Sequence, residues 1–169
     1  MKSLVFLCGT CGVGKSTTKD LLAQNNNLDN FVFIDIDEVG LNWHEYKDEP
    51  EGGIRYYKET INIAKQRSGD KNIVFSCCIN PLDLENLGSI EGVTETYFLN
   101  LQCSDEQLYN RLKGRPKERM TDSDEFIEEQ IDYMEWFREN THLIDKIIDT
   151  TNLTVEETAN LVERYLMTI

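Results

Sequence analysis

The sequence lacks any apolar run near the roughly 18 residues that a membrane-crossing helix needs, which excludes such a helix. Its opening, MKSLVFLC, has too short an apolar stretch for a secretory signal and no small-residue cleavage site, so a cytoplasmic protein is expected. Basic residues are scarce. Seventeen Lys and Arg against 31 Asp and Glu leave a net charge of −14. A surface of that sign repels phosphodiester backbones, which counts against a long nucleic-acid partner and confines any polyanion to a local basic patch. The five cysteines are odd in number and unevenly spaced, so they do not form a disulfide framework. They fit reduced thiols, mostly buried as small hydrophobes. Repeats and low-complexity tracts are also missing, and 169 residues suffice for one domain, residues 1–169, around a single core.

What is present is an alternation of two patterns. Ser3–Cys8, Phe31–Asp35, Asn72–Cys77, Thr94–Leu101 and Lys146–Asp149 read as strands, and the first three are nearly continuous in hydrophobicity. Such runs suit strands covered by helices on both faces. Between them, residues 15–24, 54–67, 104–114, 124–140 and 154–167 carry apolar residues at helical spacing, with capping boxes expected at Ser104/Gln107 and Thr154/Glu157. Gly52-Gly53 suggests a hinge or tight turn, and Asn25-Asn26-Asn27 marks another turn. Strand–helix alternation predicts an α/β fold, three-layer α/β/α, with a five-stranded parallel sheet joined by right-handed crossovers.

CGTCGVGKS, residues 8–16, allows two readings. Cys8-Gly-Thr-Cys11 has the spacing of a redox pair. Gly9 to Ser16 matches G-x-x-x-x-G-K-[ST] in full, directly after an expected strand and before an expected helix. Glycines let successive N–H groups curl around phosphate oxygens, and the helix N-terminus adds partial positive charge. Lys15 would then reach the β- and γ-phosphates, and the Ser16 hydroxyl would coordinate Mg²⁺. Gly12-Val13-Gly14 pushes the helix start towards Lys15, leaving Cys11 in the loop without a helix dipole beneath its sulfur. The loop is read as one for phosphates.

Two further signals stand beside it. Phe31–Asp37 ends a buried strand with Asp35 and Asp37 two residues apart, and strand alternation would point both to one side, near the glycine loop if the two strands lie close. Phosphoryl transfer needs a held Mg²⁺ and an oriented acceptor hydroxyl, and two carboxylates can divide those tasks. Arg111-Leu-Lys-Gly-Arg115-Pro-Lys-Glu-Arg119 places five basic residues within nine positions of an acidic chain. It reads either as a solvated face or as a mobile, short helical lid, residues 111–124, whose arginines close over transferring phosphates.

Together, GTCGVGKS, FIDID, NIVFSCC, RLKGR and IDTTNLTVEE resemble the small P-loop kinases, the group of gluconate, shikimate, nucleoside and nucleoside-monophosphate kinases. The D-x-D and R-L-K-x-R bring it nearest to the gluconate-kinase-like members. The resemblance implies that Gly9, Gly12, Val13, Gly14, Lys15, Ser16 and Thr17 hold ATP phosphates and Mg²⁺. It implies that Asp35 holds the metal through water, while Asp37 holds and activates the acceptor hydroxyl. It lays Arg111 against adenine and Arg115 on phosphates, with Arg119 as a further lid residue. Asp149-Thr150-Thr151-Asn152 would form part of the adenine pocket; a helix-capping turn before Thr154 explains the same residues. Lys15, Asp37 and Arg115 are thus the catalytic candidates, and ATP and a small-molecule acceptor the expected partners of a monomer or homodimer.

The acceptor would lie in segment 38–68 and the loop after Ser76, with Trp43, His44, Tyr46, Arg55, Tyr56 and Tyr57 available. Arg55 could clamp an acceptor carboxylate or phosphate, or be a plain surface arginine. The chain departs from shikimate kinases in lacking their set of acid-binding arginines. Cys77-Cys78 has no histidine at metal-site spacing. Other classes consistent with a phosphate loop are a switch or motor ATPase, a polynucleotide 5′-kinase and a nonenzymatic nucleotide-binding module. The guanine-reading N-K-x-D of GTPase switches does not occur.

Overall fold

The structure is a computed structural model and describes residues 2–169. Its strands are β1 (Ser3–Cys8), β2 (Phe31–Asp35), β3 (Asn72–Ser76), β4 (Glu95–Gln102) and β5 (Lys146–Asp149). Its helices are α1 (Lys15–Leu22), α2 (Gly52–Ser68), α3 (Pro81–Leu87), α4 (Asp105–Lys113), α5 (Asp124–Glu139) and α6 (Val155–Leu166). The sheet is parallel throughout, in the order β2-β3-β1-β4-β5. That order matters for function. β3 lies between β1 and β2, so the two expected site-bearing strands are not neighbours; Leu7 registers with Ser76, and Ser76 with Asp35.

Alternation along β1 divides the core. Val5 and Leu7 pack on one face with Leu22 of α1 and Val162 and Leu166 of α6. Leu4 and Phe6 pack on the other with Ile61 and Ala64 of α2 and Leu87 of α3. β1 is wholly buried, as its apolar run requires when helices cover both faces. Three layers result.

α3 was not expected from periodicity. It is short, and its signal lies in its ends: Pro81 at the first turn, with the Asn80 side chain accepting from Asp83 N–H and Asp83 reciprocating. Thr154/Glu157 forms the expected reciprocal box at α6, whereas Ser104 accepts from Gln107 N–H without the return bond. Gly52-Gly53 is a helix start rather than a hinge. A side chain on Gly52 would run into the Tyr46 carbonyl, so that position requires glycine for close approach. No helix among the described residues is long and apolar enough to cross a membrane.

Candidate active site

The loop between β1 and α1 sits at the C-terminal edge of the central strand. Gly9, Gly12 and Gly14 all lie at positive φ. At Gly12 a Cβ would meet Leu108 Cδ1 at 2.8 Å, so the loop rests directly on α4 and any side chain there would prise them apart. Gly14 is the N-cap of α1 and offers no side-chain acceptor, leaving the first-turn N–H groups available to an outside anion. The buried Lys15 Nζ donates to the Gly9 and Thr10 carbonyls, both at 2.8 Å.

A cavity of about 270 Å³ opens from this loop. Its lining includes Gly12, Gly14, Lys15, Ser16 and Thr17 from the loop and α1, Asp35 and Asp37 from the end of β2 and the turn after it, and Arg115 and Arg119 from the segment after α4. The two carboxylates do reach the glycine loop, but by a different route from strand alternation. β2 ends at Asp35, and a 3₁₀ turn, Ile36–Glu38, carries Asp37. The buried Asp35 accepts from Ser76 Oγ at 2.8 Å and from Asp37 N–H at 3.1 Å. It ties the end of β2 to β3 and fixes the turn at the same time.

Burial and the adjacent Asp35 charge push the Asp37 carboxyl above its ordinary range, with Lys15 and Arg119 pulling the other way. A carboxylate so placed is a stronger proton acceptor than a free one. Burial and then the Asp37 charge likewise raise the Tyr56 hydroxyl, which puts that tyrosine in the field of the same carboxylates.

Sequence reasoning missed the residues that hold this turn. Glu38 accepts from Asp35 N–H at 3.1 Å and from the buried Lys19 of α1, which also pairs with Asp20. Arg67 of α2 donates to the Glu38 and Val39 carbonyls at 2.8 and 3.2 Å. Lysine in a helix normally signals a wet face, so nothing local marked Lys19 as buried.

The basic segment divides in three. Arg111 donates to Thr150 Oγ1 and O, each at 3.0 Å, and to the Val13 carbonyl at 3.3 Å, stapling α4 to the loop after β5 and to the glycine loop. Arg115 Nη1 donates to Cys11 Sγ at 2.9 Å. Arg119 ends a 3₁₀ turn, Lys117–Arg119, over the cavity. Thr151 Oγ1 accepts from Ser104 N–H at 2.8 Å, and its own hydroxyl and N–H donate to Asp149; Asn152 is exposed. Arg55 is placed apart. It pairs with Glu49 at 2.6 Å, lies 3.7 Å from Glu59 and stands over the Tyr46 ring, outside the cavity lining.

The thiols bear on the alternative reading of the loop. Burial pushes Cys8 up to about 12, and Cys77 well above the ordinary thiol range. Cys8 is held as a neutral core residue. α1 begins at Lys15, so Cys11 does lie in the loop.

Residues 5–132 match the family described as AAA domain. The chain belongs to the AAA domain family. No curated protein matches it. This AAA domain has the fold of small P-loop kinases. It is similar to the shikimate kinase of Acinetobacter baumannii solved with shikimate, at 17% identity and a TM-score of 0.65, covering 99% of this chain and 94% of that one. The thymidylate kinase of Candida albicans is similar at 14% identity and a TM-score of 0.64, over 99% and 92% of the two chains. A gluconokinase of Sinorhizobium meliloti 1021 is similar at 18% and 0.58, over 99% and 97%. At these identities the likeness of the AAA domain to each is one of fold.

Proposed function

We propose that the chain is an ATP-dependent phosphotransferase that moves the γ-phosphoryl of ATP to the hydroxyl of a small molecule, as gluconate-kinase-like proteins do, or to a nucleoside or nucleotide. One observation carries the reading. Lys15, Asp35, Asp37, Arg115 and Arg119 come from three separated stretches of chain and line one cavity at the mouth of a phosphate-type loop.

The glycine loop and the uncapped first turn of α1 bind the triphosphate, with Lys15 on its β and γ groups. Val13 and Thr17 complete the cradle, and Arg111, Thr151 and Asn152 border the adenine. A hard divalent ion such as Mg²⁺ fits the donor set, since Ser16 Oγ and the Asp35 carboxylate are oxygen donors on one cavity. The described residues offer no cluster of three or more His, Cys, Asp or Glu that could hold an ion alone, so phosphate and water would complete its shell. Bound there, it offsets charge on the phosphate oxygens. Asp37 takes the acceptor's hydroxyl proton; that oxygen bonds to the γ-phosphorus as the bond to the β–γ bridging oxygen breaks, and ADP leaves. Arg115 and Arg119, in a lid over 111–124, neutralise charge on the phosphoryl oxygens and exclude water. Segment 38–68 holds the acceptor.

ADP release measured across sugars, sugar acids, nucleosides and nucleoside monophosphates tests the assignment. Stimulation above the hydrolytic background by one compound, lost in Asp37→Ala, supports it. Steady ADP release that no compound accelerates identifies a hydrolase, the second reading that an AAA domain allows.

A further inference from the structure

We infer that the acceptor carries no anionic group: it is a neutral or amine-bearing hydroxyl compound, such as a polyol, a sugar, an amino sugar or a nucleoside. This rests on the phosphotransferase reading above and narrows it.

Two of the cavity's three cations are held by the glycine loop, while the charge of the third, Arg119, acts on Asp37. Lys15 is bonded to loop carbonyls, Arg115 to the loop thiol Cys11, and Arg119 lies on the lid turn. A bound triphosphate occupies such charges. On the acceptor side the same cavity presents Asp35 and Asp37 with Ile36, Cys77 and Cys78. None of the arginines and lysines of segment 38–68 lines the cavity. Arg55 is clamped by Glu49 and Glu59, and Arg67 is spent on the Glu38 and Val39 carbonyls. Lys58 and Lys65 line hollows near the N-terminal side of the sheet instead, and Lys47 is exposed away from the lining. An acceptor carboxylate or phosphate would therefore sit beside Asp37 without a counter-charge from segment 38–68, an arrangement that disfavours an anionic ligand.

Positive features fit the opposite chemistry. Carboxylates accept protons from hydroxyl and ammonium groups and donate none when ionised. The Trp43 ring is 42% exposed and stands edge-on to Tyr56, with ring centroids 5.3 Å apart. Tyr56 is in the field of Asp35 and Asp37. An open indole packed edge-on to a tyrosine that feels those carboxylates suits the face of a sugar ring or base, or an ammonium group.

The test is a library of hydroxyl compounds in matched sets at fixed ATP and Mg²⁺. Glucose and glucosamine are set against gluconate, adenosine against adenosine 5′-monophosphate, and further polyols and nucleosides against their carboxylate or phosphate counterparts. The expected result is stimulation of ADP release by neutral or amino members, with at least about a tenfold preference in kcat/KM over the anionic counterpart. Quenching of tryptophan fluorescence by the same members without ATP, lost in Trp43→Phe, supports the subsite independently of turnover. Preference for the acid or phosphate member overturns the inference while leaving the phosphotransferase reading intact. Turnover of ATP that no member of any set accelerates overturns both.

Discussion

The two halves of the cavity are built to different standards. The donor half is tied down before any ligand arrives. Lys15 is bonded within its own loop, Arg111 joins three segments, Gly12 lies against α4, and Cys11 N–H donates to Gln130 of α5 at 2.9 Å. The acceptor half is held from behind, by Glu38, Lys19 and Arg67, while its open side is an exposed stretch of 3₁₀ turns with Trp43 and His44 in solvent. Rigid positioning of the phosphoryl donor is what transfer demands, since binding energy spent on alignment lowers the barrier. The acceptor half can vary in sequence without disturbing that alignment. It is where specificity can be rewritten.

The comparison can be broken hardest at Lys15. Lys15→Ala should reduce transfer by at least about 100-fold, the scale for removing a group that stabilises transition-state charge, while circular dichroism and thermal midpoint stay near those of the parent. A variant that keeps both its fold and its turnover would falsify the donor assignment. Asp37→Asn comes next. It should lower kcat by roughly 100-fold or more through loss of the proton acceptor, with nucleotide affinity by calorimetry unchanged. If the nucleotide is lost as well, Asp37 belongs to the donor half and the division is wrong.

Gly12→Ala probes rigidity rather than chemistry. Its positive φ and the contact with Leu108 and Leu112 predict destabilisation of about 1–3 kcal/mol together with weakened nucleotide binding, read by denaturant titration and calorimetry. Glu38→Ala should cost about 1–2 kcal/mol, because it removes the bond to Asp35 N–H and half of the pairing on Lys19, while Asp20 still neutralises that lysine. Its kcat should fall with nucleotide affinity kept, and Glu38→Gln, which can still accept from Asp35 N–H, should recover most of the loss. Trp43→Ala is the mildest. Stability should move by no more than about 0.5 kcal/mol at so exposed a position, with the effect appearing in the acceptor KM alone.

The donor half was legible in the sequence because its signal is local. A strand, a glycine loop and a helix follow one another without a break, so one stretch of eight residues specifies both shape and chemistry. The D-x-D named two residues that line the cavity, but strand alternation is not what brings them there. Asp37 reaches the cavity through a turn capped by Asp35, and the pair crosses to the loop over β3, whose place in the sheet is a long-range fact. Arg55 shows the same boundary: Glu59 lies one helical turn away and is visible as a pairing, but Glu49 approaches only because the chain folds back before α2. Lys19 gave no warning at all, since its burial depends on the Ile36–Glu38 turn meeting α1. Thr151 was a candidate for the adenine border, and what its bonds to Asp149 and Ser104 show is that it braces the loop after β5.

The resting posture of Lys15 has one more consequence. Its ammonium already has two carbonyl partners, so an incoming triphosphate trades places with the backbone instead of capturing an idle charge. The gain from the lysine is then the small difference between two well-satisfied arrangements, not the full attraction between cation and phosphate. Tightness of nucleotide capture should accordingly come from the cooperation of many amides, while the lysine registers chiefly in speed.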